Sequence, residues 1–101
     1  MPNRPAEDVI ARAIFDALSP GFTKVKLVDV KVKRREDDYG FDAFDAMVVY
    51  RGAFKNLNVR KMVSASSDVQ PSLDALGETG FPVISFVSYR DFKALAAERS
   101  H

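Results

Sequence analysis

The chain has no cysteine, and its single histidine, His101, is the last of 101 residues. Those two absences remove disulfides, thiolate metal sites, cysteine nucleophiles and Ser–His or Cys–His catalysis. No apolar run approaches the roughly 20 residues that a membrane-spanning helix needs. Glycine is also scarce. The five present (Gly21, Gly40, Gly52, Gly77 and Gly80) are dispersed at expected element ends, so no phosphate-cradling loop is formed. The formal net charge is only +1, which leaves no global field to recruit nucleic acid or an anionic membrane. The opening "MPNRPAEDVI" carries acid early and lacks the apolar core of a signal peptide. These features predict a cytoplasmic protein that needs no cofactor.

What is present is the balance of an ordinary globular chain, 47% hydrophobic and 29% charged, at a length that suits one domain over 1–101. A first helix is expected in "RPAEDVIARAIFDALSPGF". Pro5 suits the first turn, Glu7 and Asp8 favour the positive end of the helix dipole, and Ser19-Pro20-Gly21 ends it. Val9, Ile10, Ala13, Ile14, Ala17 and Leu18 supply an apolar stripe at three- and four-residue spacing.

From Thr23, "TKVKLVDVKVKRRE" alternates as a strand does, but its phase changes. Val25 and Leu27 are odd-numbered, whereas Val28, Val30 and Val32 are even-numbered. Either a β-bulge near Leu27–Val28 or a strand covered on different faces along its length reconciles the two sets. The bulge is preferred, because it lets Lys24, Lys26, Asp29, Lys31, Lys33 and Arg35 all face water.

A second strand, "FDAFDAMVVYRG", is apolar on both faces, which places it inside a sheet. "LNVRKMVSAS" (Leu57 to Ser66) alternates through Leu57, Val59, Val63 and Ala65 and predicts a third strand. Short connections then predict an antiparallel meander with the second strand in the middle. A short helix around "PSLDAL" with a cap at Ser66 or Ser67 follows, then a fourth strand, "FPVISFVSY", and a last helix capped by Ser88 and Asp91. The expected fold is an α+β domain in the order α-β-β-β-α-β-α. Its sheet is four-stranded and mainly antiparallel, with the helices mostly on one face.

Three features compete as functional sites. Five carboxylates lie between Glu36 and Asp45, and Asp38, Asp42 and Asp45 are the candidate ligands of a magnesium or calcium ion. The competing reading is a solvated hairpin turn whose charge discourages pairing with neighbours. Asp45 is the odd member, since its face is otherwise Ala43, Met47 and Val49. It is expected near the exposed strand end or paired with a base such as Arg60 or Lys61. Secondly, the block from Thr23 to Met62 carries ten basic and six acidic residues, a surplus that could meet phosphates, yet its first strand shows no aromatics among the basic groups. Thirdly, two strands are apolar on both faces. Met47, Val49, Ile84 and Phe86 exceed what three helices readily cover and mark a candidate interface, most simply of a homodimer.

The expected element order resembles two groups in topology. One is the restriction-endonuclease-like nucleases, which hold magnesium with an aspartate near the second strand and a carboxylate–lysine pair on the third. Asp42 or Asp45 and Glu7 would serve, but "NVRK" (Asn58 to Lys61) supplies no carboxylate at the pair. The other is the bacterial secretion chaperones, small α+β dimers that bind protein segments, from whose acidic balance this near-neutral chain departs. The leading expectation is a non-catalytic domain that self-associates or binds protein through an apolar sheet face. A carboxylate–metal enzyme and a nucleic-acid binder using the basic first strand are the alternatives.

Overall fold

The first helix forms where the apolar stripe predicts it. The computed structural model describes residues 5–36 and 39–99, and α1 spans Glu7–Leu18 within it. Ile10, Ile14 and Leu18, one turn apart, are the residues it buries, while Val9 at the edge of the stripe stays 44% exposed. A 3-10 turn over Ser19–Gly21 ends it, and the Ser19 hydroxyl donates back to the Phe15 carbonyl at 2.7 Å.

Strands β1 (Lys26–Glu36) and β2 (Asp42–Arg51) form an antiparallel hairpin whose register slips between Leu27 and Asp29. That irregularity is the bulge the change of phase requires. It turns Val30 and Val32 to the side of Leu27, against the main core. On β2 the even-numbered Phe44, Ala46 and Val48 are fully buried and Tyr50 nearly so.

The segment expected as a third strand is instead the start of a long helix, α2 (Val59–Leu76). Two signals outweigh the alternation of its valines. The Asn58 side chain accepts the Lys61 N–H at 3.2 Å, capping the helix eight or nine residues before the predicted cap at Ser66 or Ser67. Ala65, Val69 and Leu73 then recur every four residues and are all buried, whereas Val59 and Val63 are exposed. Pro71 sits within the helix on its exposed side, where the carbonyl it leaves without a donor faces water.

Losing that strand changes the sheet. It has three strands, in the order β1-β2-β3, rather than four. Strand β3 (Phe81–Ser88) pairs parallel with β2, so the sheet is mixed rather than mainly antiparallel. The cause is the crossover: a chain that leaves one strand through a helix returns in the same direction. Strand β2 is central, as expected. The order α-β-β-α-β-α also removes the third strand on which both topological resemblances depended. Helices α1 and α2 pack together on one face, where the core lies. Helix α3 (Tyr89–Arg99) follows β3 without a loop and lies against β2 and β3. Its expected cap is present, with the Asp91 N–H donating to the Ser88 hydroxyl at 3.1 Å. Among the described residues no helix is long and apolar enough to cross a membrane.

Candidate interaction surface

A three-stranded sheet has two edges, and this one treats them differently. Strand β1 carries seven charged residues in eleven. Two of its outward-facing backbone donors are met by the chain itself. The Val30 N–H is taken by the Asp29 carboxylate at 2.8 Å, and the Arg34 N–H by Glu7 Oε2 of α1, also at 2.8 Å. With a bulge at one end and lysines along it, β1 has the features that discourage edge pairing. A groove of about 620 Å³ runs between α1 and this strand, floored by Ala11, Phe15, Val28, Val30 and Val32. A peptide strand laid there would find two of its backbone partners already engaged.

One end of β1 is also fastened from inside. Gly77 adopts φ +77° after α2, and the Glu78 N–H donates to the Leu73 carbonyl at 3.0 Å, a turn that sends the Glu78 side chain inward. That carboxylate is fully buried. It accepts the Gly80 N–H at 2.6 Å and two bonds from the Arg34 guanidinium, at 2.5 and 3.1 Å. Arg34 donates as well to the Pro5 carbonyl at 2.8 Å. The hydrogen bonding to Glu78 is the main cause that holds the Arg34 guanidinium above its ordinary pKa, burial opposing it. A Cβ at Gly80 would lie 2.5 Å from Glu78 Oε2, so a larger residue there would displace that carboxylate.

Strand β3 has none of this. No charged residue occurs in "FPVISFVS". Ile84 and Phe86 stand beside Ala46 and Val48 on the core face and are only partly buried, with the Phe86 ring 5.3 Å from that of Phe22. Beside them lie Phe54, from a 3-10 turn at Phe54–Asn56, and Val59 and Val63, from the first turns of α2. These three are 70%, 67% and 82% exposed. With Met62, Ile84 and Phe86 they line a shallow depression of about 380 Å³. An uncharged edge strand beside an apolar patch is the arrangement that invites pairing.

The four predicted interface residues therefore separate. Ile84 and Phe86 belong to this surface. Met47 and Val49 face the other side of the sheet, beside Ser85 and Val87, and Val49 is only 1% exposed. Phe54, Val59 and Val63 are not among the sequence candidates, because Phe54 reads as part of a turn and the strand reading of 57–66 puts both valines on a sheet. The absence of charge from β3 was the signal available to find the edge.

The acidic segment is not gathered into one place. Asp38 lies outside the described residues. Asp42 is exposed at the start of β2, and Asp45 accepts both of its bonds from Arg35 Nε at 3.0 Å. Asp45 thus has a basic partner on β1, not Arg60 or Lys61 of α2. Among the described residues no group of three acidic, histidine or cysteine side chains is placed to hold a metal ion. On the same sheet face, the Lys31 ammonium lies 3.1 Å from Asp29, so Lys31 and Arg35 both have carboxylate partners. Compared with protein-family models, with curated proteins and with solved structures, the chain finds no significant match in any of the three.

Proposed function

We propose that the chain works by association, as a non-catalytic module that self-associates through the β3 edge and the apolar patch beside it. The observation that carries this reading is the charge-free edge strand flanked by Phe54, Val59 and Val63, all more than two-thirds exposed. Covering a valine or phenylalanine fully is worth about 1.5–3 kcal/mol. Association itself costs on the order of 4–15 kcal/mol, so the patch and the strand's backbone groups have to act together. The expected outcome is reversible binding on the order of micromolar.

Light scattering across a concentration series tests it. The expected mass rises from one chain towards two over micromolar to sub-millimolar concentrations, while Val63→Glu stays at one chain. Val63 is 82% exposed, so that variant keeps its core. A single-chain mass for the unaltered protein throughout would overturn the proposal.

A further inference from the structure

Resting on that reading, we infer that two copies join their β3 strands antiparallel about a two-fold axis perpendicular to the sheet, centred on Ser85. The pair then forms one closed six-stranded sheet in the order β1-β2-β3-β3-β2-β1.

Three observations lead to a second copy in this geometry. First, β3 brings no charge, so strand against strand leaves no unpaired ion, and an uncharged edge is complementary to itself. Secondly, the alternative contact between copies is blocked. Head-to-tail pairing of β3 with a neighbour's β1 would extend without limit, and β1 is where Asp29 and Glu7 hold two of the backbone donors and the lysines stand. A sticky strand present in every copy is the hazard those features oppose. Pairing like edge with like edge stops at two.

Thirdly, the apolar patch selects the axis. Phe54, Val59 and Val63 border the strand beside Ile84 and Phe86, on the core face. A perpendicular axis keeps both patches on one side of the joined sheet and brings them together; an axis in the plane would place them on opposite sides. A perpendicular axis also keeps side-chain faces, so opposed residues share parity and the axis passes through a residue facing its own copy. Ser85 is the small, exposed residue at the middle of Pro82–Ser88. Placing it there sets Ile84 opposite Phe86 and Val83 opposite Val87 across the junction.

The absence of cysteine makes the test direct. Residues facing each other across an antiparallel pair have Cα atoms about 4.5–5.5 Å apart, within disulfide reach. Under mild oxidation Ser85→Cys is expected to form a covalent dimer at least tenfold faster than Lys33→Cys, an exposed strand position on the defended edge. Light scattering of the unaltered protein accompanies it. A two-chain mass without faster linkage at Ser85 would overturn this geometry and leave self-association standing. A mass that climbs past two chains with concentration would overturn closure at two. A single-chain mass throughout would leave the edge to some other occupant and overturn both proposals.

Discussion

The two edges of this sheet solve the same problem in opposite ways. Both β1 and β3 leave a row of backbone donors and acceptors without a neighbouring strand. On β1 the chain occupies two of the donors with its own carboxylates and adds a bulge and seven charged residues, and at Arg34 it ties the strand to a buried glutamate. On β3 it supplies neither charge nor cover, and it sets three exposed apolar side chains alongside. The difference teaches that edge protection is applied selectively, and the unprotected edge is the one to examine for a partner.

The largest effect is expected at the fastening of β1. Arg34→Ala leaves the buried Glu78 carboxylate without its cation, which should cost about 3–5 kcal/mol in urea unfolding. The folded-state pKa of Arg34 is raised, so its contribution is fully present below arginine's ordinary value and is lost only as pH rises through the still higher folded value. The Arg34→Ala deficit should therefore be equal at pH 7 and pH 9. A deficit that shrinks between them would contradict the role given to the guanidinium.

Next comes the patch on the other edge. Val63→Glu is expected to weaken association at least tenfold while changing urea stability by less than about 0.5 kcal/mol, the range of a surface substitution. Equal losses of stability and association would mean that the residue serves the fold. Stripping the defences of β1 tests the comparison from the other side. Asp29→Ala and Glu7→Ala combined with Lys31→Val and Lys33→Val should produce assemblies larger than two chains in sedimentation, because the second edge is then open too. The smallest effect is expected at Asp45, whose ion pair with Arg35 is about half exposed. Asp45→Asn should cost no more than about 1 kcal/mol, with no change in association.

The features legible in the sequence were those with a local cause. The stripe of α1, the cap at Ser88 and the bulge between Leu27 and Asp29 each follow from a few adjacent residues. The start of α2 is masked in the sequence because Leu57, Val59, Val63 and Ala65 satisfy a two-residue period over a short window. The helical spacing of Ala65, Val69 and Leu73 emerges only over a longer one. The strand count and the pairing of β3 depend on that one segment, since a helix between β2 and β3 makes them parallel. The Arg34–Glu78 pair was not legible at all: 44 residues separate its members, and only the folded sheet and the turn at Gly77 bring them together. Of the interface candidates, alternation on β3 was enough to find Ile84 and Phe86. Which face of β2 lay with them depended on the register.

Backbone amide exchange followed by NMR at low and high protein concentration measures the contrast between the edges most directly. Exchange at Ile84 and Phe86, whose N–H groups face away from β2, should slow by at least tenfold on concentration, while Val32, on the outward side of β1 between Val30 and Arg34, keeps its rate. Equal behaviour of the two strands, or slowing at Val32 alone, would contradict the assignment of β3 as the edge that pairs.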